Sequence, residues 1–191
     1  LVGDNCTTAL TCTGVCNYIE NIGIKPKSGV FSLIDAIKFN GNANGEVDSN
    51  VDNVHIAYMR NALTICGRNV LVKNCGFSHC QIGVDYQLSI NDARGLQVEN
   101  CRFHGIGEEA DLNWFENSYG IRIENNAGSH LIVRNNLSDQ SGHFLYGYAS
   151  NALIENNYIE SYAKTPIVIT SNEQISPLNN GAIIIRGNYI K

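Results

Sequence analysis

Apolar and polar residues alternate along most of this chain in short bursts, without helical spacing. Residues 69–77 read NVLVKNCGF, and 95–103 read GLQVENCRF. HLIVRNNLS (130–138), NALIENNYI (151–159) and AIIIRGNYI (182–190) repeat the design, and NVHIAYM (53–59) is a weaker copy. Period-two alternation predicts a strand in each. Shorter apolar stretches predict second strands between them: QIGVDY (81–86), YGIRIEN (119–125), FLYGY (144–148) and PIVIT (166–170). NYIENIGIKP at 17–26 has the same character. The best helical candidate, FSLIDAIKF at 31–39, reads as strand as well. Asn-rich turns between Val/Ile strands point to an all-β chain.

The motif asparagine serves as a ruler. It falls at Asn74, Asn100, Asn135 and Asn156, with Gly187 in the last slot, so the intervals are 26, 35, 21 and 31. Coils of a solenoid with loops of unequal length give such spacing. Strict alternation places Val70, Val72 and Asn74 on one face, and likewise Leu96, Val98, Asn100; Leu131, Val133, Asn135; and Ala152, Ile154, Asn156. An inward asparagine must satisfy its amide. Asn74, Asn100, Asn135 and Asn156 are therefore expected to form a stacked ladder, with Cys75 over Cys101 and Phe77 over Phe103. On this reading Asn100→Leu costs roughly 1–3 kcal/mol. The residue before each motif position is Lys73, Glu99, Arg134, Glu155 and Arg186. That alternation of sign suits a cross-strand charge column.

The segments VLVKNCGF, LQVENCRF, LIVRNN, LIENNYI and IIIRGNYI, over roughly residues 50–191, resemble those of the right-handed parallel β-helix proteins. That family includes pectate-lyase-like polysaccharide enzymes and bacteriophage tailspikes. The resemblance implies a single-stranded right-handed parallel β-helix, with loops of variable length between coils. Residues 1–191 are expected to form one such domain, with irregular early coils over 1–49. The pattern stops at GNYIK in mid-repeat, so the chain is expected to be a piece of a longer protein with an open sheet edge at its last coil. Leucine-rich repeats compete, but their asparagine falls elsewhere in the motif and their period is more regular.

Composition narrows the partners. With 43% hydrophobic and 16% charged residues the chain is a folded one. The net charge of −5 and the lack of a basic tract argue against nucleic acid. The longest apolar runs are too short to span a bilayer, and LVGDNCTT lacks the features of a signal peptide. The seven cysteines are an odd count. Cys75 and Cys101, stacked in parallel, would have poor disulfide geometry and read as buried thiols. Free thiols suit folding in a reducing cytoplasm. Cys12 and Cys16 resemble half of a zinc site without its other half, and no metal or cofactor is expected.

The longest interruption is HGIGEEADLNWFENSYG, residues 104–120. It holds Trp114, Phe115, Tyr119 and His104, candidates for contact with a sugar. It also holds Glu108, Glu109, Asp111 and Glu116, candidates for the carboxylate pair that glycoside hydrolysis needs. The competing reading packs Trp114 and Phe115 onto the coils or a neighbouring chain, with solvated acids outside. Asp85, Asp92, Asp139 and Glu160 read as turn formers, and His79 and His104 as turn residues stacked in adjacent coils. Three functions follow. The first, from the resemblance, is a tailspike or tail-fibre segment that binds, and as an enzyme depolymerises, bacterial surface polysaccharide. It implies a homotrimer on a virion tail or cell surface, beside other virion or surface proteins. The second is a pectate-lyase-like lyase, hydrolase or epimerase. The third is a structural fibre or adhesin.

Overall fold

The computed structural model describes residues 7–14, 17–27, 31–41, 46–87, 94–107, 117–124, 129–170 and 181–191. Every third strand joins the same parallel sheet, giving three sheets of seven strands. Sheet 1 contains β1 (Thr8–Thr13), β4 (Ser32–Asn40), β7 (Met59–Cys66), β10 (Ile82–Tyr86), β13 (Tyr119–Ile123), β16 (His143–Tyr148) and β19 (Ile167–Thr170). Sheet 2 contains β2 (Tyr18–Glu20), β5 (Glu46–Asp52), β8 (Arg68–Lys73), β11 (Arg94–Glu99), β14 (Ser129–Arg134), β17 (Ala152–Glu155) and β20 (Ile183–Arg186). Sheet 3 contains β3 (Gly23–Ile24), β6 (His55–Ala57), β9 (Gly76–Ser78), β12 (Arg102–Ile106), β15 (Leu137–Ser141), β18 (Tyr158–Tyr162) and β21 (Tyr189–Ile190). The chain is a parallel β-helix solenoid in which each coil adds one strand to each sheet. The segment FSLIDAIKF lies within strand β4 and the residue before it.

The core lies along the axis, between the inner faces. Val51, Val72, Val98, Val133 and Ile154 pair in register on sheet 2, and all are buried. Ile37, Leu63, Val84, Ile121 and Leu145 do the same on sheet 1. On sheet 3, Phe77 and Phe103 stack with centroids 5.2 Å apart. The next residue in that column is Ser138, which bonds Ser141 at 3.1 Å, and Phe144 from sheet 1 packs edge-on against Phe103. The last coil continues the columns with Ile183, Ile185 and Ile190, which are exposed.

The corner from sheet 2 to sheet 3 is two residues long in every coil, and here strict alternation fails. Asn21, Asn53, Asn74, Asn100, Asn135, Asn156 and Gly187 all have positive φ, between 51° and 64°. Asparagine and glycine are the residues that enter this left-handed region at least cost. Each asparagine N–H donates to the last sheet-2 carbonyl of the next coil, as Asn74 does to Glu99 at 3.1 Å and Asn100 to Arg134 at 3.2 Å. The left-handed step swings the motif asparagine outward and turns the following residue inward. Asn74, Asn100, Asn135 and Asn156 are exposed, which corrects the ladder expected from alternation.

The inward corner column is instead Ile22, Val54, Cys75, Cys101, Asn136, Asn157 and Asn188. Its amides form the ladder. Asn136 Nδ2 donates to Asn157 Oδ1 at 2.9 Å and to the Val98 carbonyl at 3.0 Å, while its Oδ1 accepts from Cys101 N at 2.9 Å. Asn157 repeats this with Asn188 and Val133, at 2.8 and 3.1 Å. The thiols point at the equivalent carbonyls: Cys75 Sγ lies 3.6 Å from Val51 O, and Cys101 Sγ 3.7 Å from Val72 O. Cysteine thus occupies in two coils the donor slot that asparagine takes from the next coil onward. Among the described residues Cys12, Cys66, Cys75, Cys80 and Cys101 are free thiols.

Register also brings Asp52, Lys73, Glu99, Arg134, Glu155 and Arg186 into one outward column of sheet 2. Three ion pairs form along it: Lys73–Asp52 at 3.1 Å, Arg134–Glu99 at 2.9 Å and Arg186–Glu155 at 2.8 Å.

This corner and the buried thiol of Cys80, which lies between sheets 3 and 1, give three expected outcomes. Asn136→Leu strands buried groups in two coils and should cost roughly 2–3 kcal/mol. Asn100→Gly should leave the urea midpoint nearly unchanged, whereas Asn100→Val should cost about 1–2 kcal/mol through backbone strain alone. Equal midpoints for the Gly and Val variants would contradict the left-handed corner. Burial pushes the Cys80 thiol from 9.0 up to about 12. In that window the unfolded chain has released the proton and the folded chain still holds it. Stability should therefore fall above pH 9, by up to about 1.4 kcal/mol per pH unit from this thiol. Urea titrations of Cys80→Ala across that range should show a shallower loss.

Candidate functional site

On the outer face of sheet 1, alternation would lead one to expect solvated side chains, but several polar groups there are buried. Asp85 points outward from the middle of strand β10, yet it is fully buried. Register sets it beside Thr64 on one side and Arg122 on the other. Arg122 grips it with two bonds, Nε to Oδ1 and a terminal nitrogen to Oδ2, both 2.7 Å. Gln87 Nε2 donates to Oδ2 at 2.6 Å, and Asn61 Nδ2 approaches at 3.4 Å. Two coils away, Arg60 holds Asp35 Oδ1 at 2.9 Å, while Thr64 Oγ1 lies 3.5 Å from Asp35 Oδ2. Asn61 and Thr64, 3.3 Å apart, connect the two arginine–carboxylate pairs.

Asp35, Arg60, Asn61, Gln87 and Arg122 wall a cleft of about 470 Å³, lined also by Gln81, Ile82, Asn117 and Tyr119, with Asp85 and Thr64 buried behind that wall. Arg122 contacts Glu124 at 3.0 Å and stands 5.8 Å over the Tyr119 ring. Tyr119 stacks on His143 at 5.4 Å, and Tyr146 closes an aromatic triad with both, at 5.2 and 5.1 Å. The Thr165 carbonyl, 2.7 Å from His143 Nδ1, orients that ring. Burial pushes the Tyr119 hydroxyl above its ordinary range.

Chemically, the cleft offers amide and guanidinium donors beside an aromatic face. Asp85 has both oxygens occupied, and Asp35 is tied to Arg60. The two carboxylates stand on strands β4 and β10, two coils apart and in different columns of the sheet. Both carboxylates are already engaged by arginine side chains, and the donors of this cleft suit recognition. No group of three or more His, Cys, Asp or Glu able to hold a metal ion occurs among the described residues.

The sequence candidates are divided among three places. Glu108, Glu109, Asp111, Trp114, Phe115 and Glu116 lie outside the described residues. Tyr119 is on the cleft wall, and so is Asn117, where the chain re-enters the described structure. His104 stands on the outer face of sheet 3, bonded to Asp139 at 2.9 Å, and shares no site with Tyr119. Its ring meets His79 edge-on at 5.5 Å. Asp85, Asp139 and Glu160 lie in strands, which corrects their reading as turn formers; Asp92 lies outside the described residues. Each is at an outward position where it meets a partner: Arg122, His104 and Tyr158 respectively. QIGVDY already put Asp85 opposite Val84 in alternation; only register put Arg122 beside it.

Arg122→Ala would leave Asp85 buried without its main counter-charge and should cost roughly 3 kcal/mol. A double change, Asp85→Leu with Arg122→Met, should recover most of that loss in thermal unfolding. A double variant as unstable as Arg122→Ala would count against an ion-pair origin. Comparison with protein-family models, with curated proteins and with solved structures finds no match.

Proposed function

We propose that this chain is the glycan-recognising part of a β-helix surface protein of the tailspike or tail-fibre kind. Bacterial surface polysaccharide would lie against the outer face of sheet 1. The observation that carries the reading is the cleft itself: fixed guanidinium and amide donors beside the Tyr119–His143–Tyr146 triad. Rigid donors next to an aromatic face suit a ligand with hydroxyls on its edges and C–H groups on its faces. The arginines are held in place before any ligand arrives, so little ordering cost attends binding. The family resemblance adds a homotrimer and a place on a virion tail or cell surface.

A second reading, depolymerisation, is favoured by one observation. The segment bearing Glu108, Glu109, Asp111 and Glu116 returns to the described structure at Asn117, on the cleft wall. A carboxyl pair delivered there could act as acid and base on a bound glycan.

The test is a screen of the full chain against bacterial surface glycans and pectins, scoring both binding and new reducing or unsaturated ends. Tyr119→Ala and Arg60→Ala should each weaken binding about tenfold, a loss of roughly 1.4 kcal/mol. New ends that vanish on changing Glu108, Glu109, Asp111 and Glu116 to their amides would make the protein an enzyme. Binding that ignores both cleft variants, or no binding to any glycan, would sink the proposal.

A further inference from the structure

The outer face of sheet 3 carries a second feature, away from the sheet 1 cleft. Over the early coils it sinks into a depression of about 700 Å³. Small residues make the floor: Ala57, Gly76 and Ser78. A Cβ on Gly76 would lie 2.6 Å from His55 Nδ1, so the exposed imidazole of His55 lies close over this glycine. Around the floor stand Lys25, His55, Arg102 and His104, and no described acidic residue lines it. In a chain of net charge −5, Lys25 and Arg102 around a depression without a described lining carboxylate are a local departure from the average. Asp139 touches its lower rim, 2.9 Å from His104 and 3.7 Å from Arg102.

The depression does not end blindly. One outward column of sheet 3 runs through Gly23, His55, Gly76 and Arg102, then continues as Leu137, Tyr158 and Tyr189. The last three are exposed apolar or aromatic side chains. Tyr158 and Tyr189 stack at 4.9 Å. Six strand spacings make this column about 29 Å long. A free phosphate or sulfate would need only the basic end. The aromatic extension suits a chain-like ligand with faces to stack.

We propose that the outer face of sheet 3 is a binding track for an anionic glycan, one bearing sulfate, phosphate or carboxylate groups. Its acid groups sit in the Lys25–His55–Arg102 depression, and its following sugars lie on Leu137, Tyr158 and Tyr189. The track is independent of the sheet 1 cleft, and its charge complementarity gives salt-sensitive binding.

The experiment compares dextran sulfate oligosaccharides with uncharged dextran of equal length by titration calorimetry on the full chain. The sulfated series should bind at least tenfold tighter and weaken with salt. Lys25→Ala combined with Arg102→Ala changes only exposed side chains, and should cost at least tenfold in affinity. Asp139→Asn should tighten binding. Tyr158→Ala should weaken long oligomers and spare short ones. Tyr119→Ala, in the other site, should leave sulfated-dextran binding unchanged; any effect on the screen of surface glycans is then read separately. Indifference to Lys25 and Arg102 overturns the proposal. So does inorganic sulfate binding as tightly as the oligomer, which would mark a small-anion site. Equal affinity for a single-stranded oligonucleotide of matched charge overturns it too, by showing a general polyanion surface.

Discussion

Much of the architecture depends on a left-handed residue placed at the same corner of every coil. Between sheets 2 and 3 the chain turns in two residues, and the first has φ near +55° throughout. Because the corner never changes length, the strands on either side of it stay in register from coil to coil. Inward valines then fall on valines, and outward charges on opposite charges. Insertions are confined to the other two corners. One of them carries residues 107–118, between strands β12 and β13.

The same corner explains the side chains beneath it. The left-handed step aims the second corner residue at the axis, where strand backbone groups from two coils need partners. Asn136, Asn157 and Asn188 satisfy those groups with both ends of the amide. Cys75 and Cys101 present a weaker donor to the equivalent carbonyls, and Val54 and Ile22 present none. The column thus passes from apolar through thiol to amide along the axis, and polar bonding inside the core grows toward the later coils.

The three outer faces diverge in chemistry although they share one geometry. Sheet 2 spends its outward positions on a charge column whose members satisfy one another. Sheet 1 sets arginine–carboxylate pairs beside an aromatic triad. Sheet 3 joins a basic depression to an exposed tyrosine stripe. A solenoid lets each face vary independently, because contacts run mainly to the coils above and below. Each face can therefore carry its own chemistry on one backbone geometry.

Alternation and the repeated Asn were enough to show the strands, the coils and their unequal loops, including the column of opposite charges at Lys73, Glu99, Arg134, Glu155 and Arg186. Those features are local, or repeat at a fixed place in the motif, and so can be read along one dimension. The position of the ladder could not be read that way. Counting by twos assumes extended backbone, and one residue of positive φ at Asn100 shifts the count by one. The cleft was further out of reach. Asp35, Asn61, Asp85 and Arg122 come from four different coils, and nothing in any single segment marks them as neighbours. Sequence by itself determined a stacked β-solenoid, because a repeated pattern must meet its own copy. Which side chains share a site was decided only by the register between coils, since that sets what lies one strand spacing away.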